Sequence, residues 1–132
     1  MASGLSTAER NRFLDARFAT LDVWGALCDG DPSDAGDMSG QEIAASFDYA
    51  RTELTCLTAA AGSISNTAAL EFPVANGGSW GTIGWLAICT TDTEAADDSI
   101  ASGSLTASKT IADGDQIKFA IGNITIAIAA QA

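Results

Sequence analysis

Short apolar segments with a period of two run through most of this chain, and this pattern restricts the fold more than any other feature. From Leu21 to Cys28 apolar positions alternate along the chain, and Ile124, Ile126 and Ile128 do the same near its other end. Side chains of a β-strand point alternately to its two faces, so the period predicts strands. Residues 81–90 are apolar on both faces, which predicts a central strand that is covered on both sides.

Clusters of Gly, Asp, Asn and Ser separate these segments. The separators are residues 29–37, 62–67, 76–79 and 91–99. Residues 112–115 are predicted to close a hairpin between strands at 104–110 and 116–121, because Gly114 supplies the positive φ that such a turn needs. Strands of this length between such turns predict a mainly β fold, an antiparallel β-sandwich of jelly-roll type.

One α-helix is predicted, and it precedes the strands. Ser6-Thr7-Ala8-Glu9 has the form of a capping box, in which Ser caps the helix and Glu reaches back to it. Phe13, Leu14 and Phe18 form an apolar stripe behind this box. The helix is therefore predicted from Thr7 to about Ala19.

The chain of 132 residues suits one β domain with a helical extension, and no linker divides it. We expect residues 1–20 to form an N-terminal arm and helix. Residues 21–132 are expected to form a single β-sandwich domain.

The strongly acidic charge excludes several classes of partner. The chain has 17 Asp and Glu against 6 Lys and Arg, which gives a net charge of -11. No Lys or Arg lies between Arg51 and Lys109, so the positive surface that nucleic-acid binders need is missing. No apolar run approaches the ~20 residues of a membrane span, and the first residues lack a secretory signal. We expect neither nucleic acid nor a membrane as a partner.

Motifs for catalysis and cofactors are missing as well. The chain has no His, which excludes His-based triads and His-ligated zinc. Cys28, Cys56 and Cys89 are too far apart for a CxxC motif and are expected to be small buried side chains. The carboxylates of the 29–37 loop alternate but do not fit an EF-hand, so we expect them to be solvated. We expect no catalytic residue, no metal ion and no cofactor.

A second acidic loop raises the possibility of an enzyme. It contains Asp92, Glu94, Asp97 and Asp98. Two carboxylates can hydrolyse a glycoside if they face a cleft and burial raises the pKa of one. The loop is rich in Ala, Thr and Ser, so we expect these groups to be solvated, and a glycoside hydrolase is the weakest alternative.

The three Trp residues differ in their setting. Trp85 lies in the apolar run and is expected in the core, and Trp24 lies on the strand face opposite Val23. Trp80 follows the Gly-rich loop at 76–79. Ordinary packing is the first expectation for Trp80, with a protein interface and a sugar-stacking platform as alternatives.

A set of short motifs keeps a fixed order and spacing from Tyr49 onward. They are Tyr49-Ala50-Arg51, Ser63 with Ser65-Asn66-Thr67, Phe72-Pro73, Trp80-Gly81-Thr82, Gly103-Ser104-Leu105-Thr106, Ser108-Lys109-Thr110, Gly114-Asp115 with Phe119, and Gly122-Asn123-Ile124-Thr125. Together they resemble a family of small tailed-bacteriophage virion proteins, many of which carry the label phage tail fibre protein. The chain departs from that family at Cys28-Asp29, where members have His-Thr. Arg51 is expected to pair with a carboxylate.

The resemblance implies a virion protein that is assembled in the cytoplasm of a bacterial host. Because the chain is short and has no fibrous repeat, we expect a non-enzymatic capsid decoration (cement) protein. Its expected partners are the major capsid protein and copies of itself in a homotrimer. The alternative is a tail or tail-fibre component that contacts the host surface.

Five residues are candidates for the interface with these partners. They are Arg10, Arg12, Phe13, Arg17 and Trp80. The first four lie on the predicted helix, whose three Arg residues are half of the positive charge of the chain. We expect this helix to meet an acidic surface while the acidic loops face solvent.

Overall fold

The helix predicted at the start of the chain is confirmed, in two consecutive segments. In the computed structural model, which describes residues 5–56 and 58–128, α1 spans Thr7–Leu14 and a wider π-helical turn follows over Asp15–Ala19. The Ser6 hydroxyl accepts a hydrogen bond from the Glu9 amide at 3.2 Å, as the capping box predicts. The backbone N–H of Thr20 donates to the Asp15 carbonyl at 2.8 Å and closes the π turn.

The described residues form eight antiparallel strands, so the prediction of a mainly β, antiparallel fold is confirmed. The strands are β1 (Val23–Cys28), β2 (Thr52–Leu54), β3 (Ser63–Ser65), β4 (Leu70–Glu71), β5 (Gly81–Cys89), β6 (Ser99–Ile111), β7 (Lys118–Phe119) and β8 (Thr125–Ala127). A single helical turn, α2 (Met38–Gln41), lies between β1 and β2.

The strands are distributed over one larger sheet and two small ones. The larger sheet has the order β2-β1-β5-β6, and the small sheets are the pairs β3-β8 and β4-β7. β5 therefore has a neighbour on each side, as predicted for residues 81–90. Its partners are β1, in the register Ala26↔Ala87, and β6, in the register Ala87↔Ser102.

The predicted hairpin around residues 112–115 is wrong, although the turn itself is present. Gly114 has a φ of +90° and the Asp115 amide donates to the Ala112 carbonyl at 2.9 Å. The strands on either side of this turn nevertheless join different sheets, since β6 pairs with β5 and β7 pairs with β4. Local turn chemistry thus reverses the chain here without deciding which strands pair. Residues 62–67, predicted as a turn, contain the short strand β3.

The larger sheet is buried on both faces along β1 and β5. One face carries Val23, Leu27 and Ile83 into the main core, where Leu14 and Phe18 of the helical segment also pack. The other face forms a smaller cluster, whose members are Ala26, Cys28, Met38, Ala87 and Cys89. The helical segment therefore shares the core of the strands.

The close packing of β1 predicts a measurable cost for one added methyl group. A Cβ atom on Gly25 would lie 2.7 Å from Cδ2 of Leu70 and 3.4 Å from Cζ of Phe72. We expect Gly25→Ala to lower the free energy of unfolding by about 1–3 kcal/mol, because the buried side chain of Leu70 would have to shift within the core. Chemical denaturation measures the change.

Gly103 on β6 provides the matched control, since a Cβ there would meet no atom within 4 Å. Gly103→Ala is expected to change the same free energy by less than about 0.5 kcal/mol. Equal losses for the two variants would contradict this description of the core.

Candidate functional site

A buried ion pair lies beside the larger sheet and is centred on Arg51. Arg51 immediately precedes β2, and its guanidinium contacts the carboxylates of Glu42 and Asp98 at 2.8 Å each. The side chains of Arg51 and Glu42 are fully buried, and that of Asp98 is 17% exposed. The expected pairing of Arg51 with a carboxylate is therefore confirmed, and it involves two.

The guanidinium of Arg51 has each of its nitrogen atoms engaged in hydrogen bonds. Nε donates to the carboxylate of Glu42, and one terminal nitrogen donates to Glu42 and to the carbonyl of Ala96 at 2.9 Å. The other terminal nitrogen donates to Asp98 and to the carbonyl of Thr91 at 3.0 Å. A guanidinium has five N–H donors, and these contacts can satisfy all of them. No donor is left to bind a substrate.

Glu42 is held by the backbone and by Tyr49 as well as by Arg51. The hydroxyl of Tyr49 donates to Oε2 of Glu42 at 2.6 Å and accepts from the backbone N–H of Leu27 in β1 at 3.0 Å. The amide of Ala95 donates to Oε1 at 2.8 Å. The motif Tyr49-Ala50-Arg51 thus supplies two side chains to one buried carboxylate.

Asp98 connects the same guanidinium to the acidic loop. Its Oδ2 accepts from the amide and hydroxyl of Thr91, at 2.8 and 2.7 Å, and from the hydroxyl of Thr90 at 3.1 Å. The expectation that all four carboxylates of this loop are solvated is therefore wrong for Asp98. A loop rich in Ala, Thr and Ser supplies hydroxyl and backbone donors that compensate a carboxylate for lost water.

The network holds its side chains in fixed charge states. Burial opposes the charged form of Asp98, but hydrogen bonds from Thr91 and Arg51 outweigh it and lower the pKa of this carboxyl. Burial also opposes the charge of Arg51, but hydrogen bonds to Glu42 and Asp98 raise its pKa. Burial and the adjacent Glu42 carboxylate raise the pKa of the Tyr49 hydroxyl. General acid–base catalysis works best with a pKa near the working pH, so these shifts suit a structural role.

Asp97 links the acidic loop to the turn of helix before β2. Its Oδ1 accepts from the amides of Met38 and Ser39 in α2, at 2.9 and 2.8 Å. These backbone donors, that of Ser39 first, lower the pKa of the exposed Asp97 carboxyl. Asp37 caps the same turn by accepting from the Gly40 amide at 2.9 Å. Two acidic residues thus serve local structure here.

The described ranges 5–56 and 58–128 contain no group of three or more His, Cys, Asp and Glu placed to hold a metal ion. Within the same ranges, no helix is long and apolar enough to cross a membrane.

Arg10, one of the interface candidates, is directed towards the strands. Its guanidinium donates to the carbonyl of Ile128 at 3.0 Å and to the hydroxyl of Thr7 at 2.9 Å. Two neighbouring side chains anchor the helix in the same way, since Asn11 accepts from the Gly62 amide and Asp15 from the Ala59 amide. The helix is thus fastened along the segment around β3, and Arg10 serves this attachment.

The other helical candidates lie nearer to solvent. Arg12 is exposed and forms an ion pair with Glu9 on the same helix. Phe13 is 55% exposed, and Arg17 is half-buried. Of the three arginines whose charge is expected to meet a partner, Arg12 is the exposed one, and its charge is partly neutralised by Glu9.

Trp80, the fifth candidate, lies in the core and is 8% exposed. Its indole N–H donates to the carbonyl of Phe47 at 2.9 Å, and its ring meets that of Tyr49 edge to face with centroids 5.4 Å apart. The alternative of a sugar-stacking surface at Trp80 is wrong for this conformation, because the ring face is covered. Ordinary packing, the first expectation, describes it.

Asn66 is a buried residue whose role the sequence patterns did not predict. It is fully buried beside β3, and its side-chain oxygen accepts from the amides of Gly122 and Ile124 at 3.0 Å each. Its side-chain nitrogen donates to the carbonyls of Ala68 and Ala120. The sequence signal that could have predicted this role is the pair of motifs Ser65-Asn66-Thr67 and Gly122-Asn123-Ile124-Thr125. The side-chain amide of Asn66 connects the two motifs.

One comparison with known proteins gives a match, and it spans nearly the whole chain. The family model described as Podophage GP4 fiber I protein gp80 matches residues 4–127. No curated protein matches the chain.

The buried ion pair predicts a large cost for removing its cation. Arg51→Leu leaves the buried Glu42 carboxylate without a counter-charge, and we expect the free energy of unfolding to fall by about 3–5 kcal/mol. The double variant Arg51→Leu/Glu42→Leu should regain part of this loss, since it removes the uncompensated charge as well. Urea titration of the variants measures both.

The exposed pair Arg12–Glu9 is the matched control for this experiment. Arg12→Leu is expected to change the free energy of unfolding by less than about 1 kcal/mol, because exposed ion pairs contribute little. A loss at Arg51 no larger than that at Arg12 would contradict the role given to the network.

The lowered pKa of Asp98 also predicts a dependence of stability on pH. Its contribution is present above the pKa of an unfolded Asp, about 3.9, and is lost as the pH falls through the lower value of the folded state. Asp98→Asn removes this contribution, so its free energy of unfolding should fall less steeply than that of the wild type below pH ~4. Asp92→Asn changes the net charge equally. If Asp92→Asn reduced the pH dependence of the free energy of unfolding as much as Asp98→Asn does, the change in net charge would explain the effect, and the pairing of Asp98 would not.

Proposed function

Because the chain belongs to the podophage GP4 fiber I protein family, we propose that it is a structural subunit of the tail or tail fibre of a tailed phage. Its membership makes it a phage virion structural protein, located in the virion. The position within the particle is the proposed part. It rests on one observation, a family match over residues 4–127 whose description names a fibre.

Capsid decoration, the first expectation from the sequence, becomes the second candidate. The observation in its favour is that the described residues form strands around a shared core, with no fibrous repeat among them. In that position the major capsid protein is the partner. We place the tail or tail fibre first because the family description names a fibre, whereas the support for capsid decoration is compactness and analogy.

The buried network supports a role without catalysis in either position. Arg51 has its donors engaged within the protein, and Asp98 is held charged by that cation. A pair of carboxylates that hydrolyses glycosides needs one carboxyl group whose pKa is raised. The pKa values of Asp97 and Asp98 are both lowered. We propose that the acidic loop is a structural part of the protein.

The proposed contact with the rest of the particle is the outer side of the helical segment. Phe13 is 55% exposed, and the large apolar side chains of Leu5 and Leu21 at either end of the segment are exposed as well. These three apolar side chains are spread along one segment, and exposed apolar groups can belong to a surface that another protein covers. Arg12, which is exposed on the same segment, would favour an acidic partner.

Labelling the protein in intact particles is the test of the proposed position. Gold-labelled antibody against the purified protein, viewed by electron microscopy, is expected to decorate the tail region. Label on the heads would overturn the tail or fibre position in favour of capsid decoration. Particles that contain no copy of the protein would overturn both.

Substitution of Phe13 tests the contact surface in the same particles. Phe13→Ser is expected to lower the number of copies per particle, with Val74→Ser, another exposed apolar site, as the control. Point substitutions are preferable to deletion of the helix, since Leu14 and Phe18 belong to the core. Equal incorporation of the two variants would contradict a contact at Phe13.

A further inference from the structure

A groove with a volume of about 460 Å³ separates β6 from β8. Residues 101–106 of β6 form one wall, and residues 123–127, at and before β8, form the other. The apolar side chains of Leu86, Phe119 and Ile124 also line it. The groove thus has strands along its sides and apolar side chains within it.

Both walls have an unpaired edge among the described residues. Within residues 5–56 and 58–128, β6 pairs with β5 alone and β8 pairs with β3 alone. The backbone N–H and C=O groups on the other edge of each strand therefore remain available to a further strand. Such edges are templates for pairing with another chain.

The edge of β6 lacks the usual protection against such pairing. Residues 99–108 contain no charged residue and no Pro. β-bulges can also protect an edge, and β6 has irregular register opposite Ile83–Trp85 and opposite Ile88–Cys89. Between these irregularities, residues 101–104 keep regular pairing with β5, and this stretch faces the groove.

The charge of the groove is as distinctive as its edges. None of the described residues that line it is charged, on a chain with 17 acidic residues and a net charge of -11. Two copies of such a chain repel one another where carboxylates meet. Two copies can approach closely at the groove, because it is uncharged and has free strand edges.

We propose that this groove is a contact between copies of the chain, in which β6 of one copy pairs with β8 of the next. A second copy of the chain is a better partner for the groove than an unrelated strand. Every copy carries one free β6 edge and one free β8 edge, so each edge can find a partner on another copy. The same contact repeated between copies can close into a ring, such as the homotrimer that the family resemblance implies. The proposal does not depend on whether the protein lies on the tail or the head.

Cysteine cross-linking between copies tests the proposed pairing. In a Cys56→Ser background, Ser104→Cys on β6 and Thr125→Cys on β8 are prepared as separate proteins. Mixing the two under oxidising conditions is expected to form disulfide-linked pairs that contain one copy of each. Absence of such mixed pairs, or an internal bridge in a monomeric double variant, would overturn the proposal.

The mass of the protein in solution provides the second measurement. Light scattering of the wild type is expected to give a multiple of the chain mass, and Ser102→Lys/Ser104→Lys should reduce it to one copy, because charge on an edge opposes pairing. Ala44→Lys, at an exposed position outside the groove, should leave the mass unchanged. A wild type that is a monomer at all concentrations, or a β6 variant with an unchanged mass, would overturn the pairing.

Discussion

The burial of one cation between two carboxylates is the constraint on which the larger sheet depends. Removing an ion from water costs several kcal/mol, so the guanidinium of Arg51 must find all its partners inside the protein. It finds them in two segments that are distant in sequence: Glu42 after α2, and Thr91, Ala96 and Asp98 in the acidic loop. The chain can bury this charge only when the start of β2, α2 and the connection from β5 to β6 are all in place.

This dependence explains the shape of the acidic loop. A run of carboxylates on a chain of net charge -11 would be expected to extend into solvent, yet Asp98 turns inward and the exposed Asp97 binds the backbone of α2. Asp97 satisfies amides at the start of α2, and Asp98 satisfies Arg51 and two Thr side chains. The loop is thereby joined to α2, whose Met38 packs with Cys28 and Cys89 on the second face of β1 and β5.

Much of the fold could be predicted from the sequence, because hydrophobic period and capping are local signals. The period of two predicted the antiparallel strands, the doubly apolar run predicted the inner position of β5, and Ser6 with Glu9 predicted the start of the helix. Strand pairing could not be predicted in the same way. The turn at Gly114 is local, but the partners of β6 and β7 lie in other segments, β5 and β4, and Ile111 and Ile117 on either side of the turn are both buried. Local patterns also failed for two of the candidate interface residues. The helical pattern around Arg10 does not predict that its side chain turns towards the strands, and the Gly-rich loop before Trp80 does not predict that this ring is buried.

The packing of the three thiols has a consequence for the chemical durability of the protein. Burial raises the pKa of Cys28 and of Cys89 to about 12, and it raises that of the half-buried Cys56 as well. Oxidation and disulfide exchange proceed through the thiolate, which is scarce at neutral pH under these conditions. The three thiols are free, so the described fold is held together without a disulfide, and burial protects Cys28 and Cys89 from oxidation more than it protects Cys56.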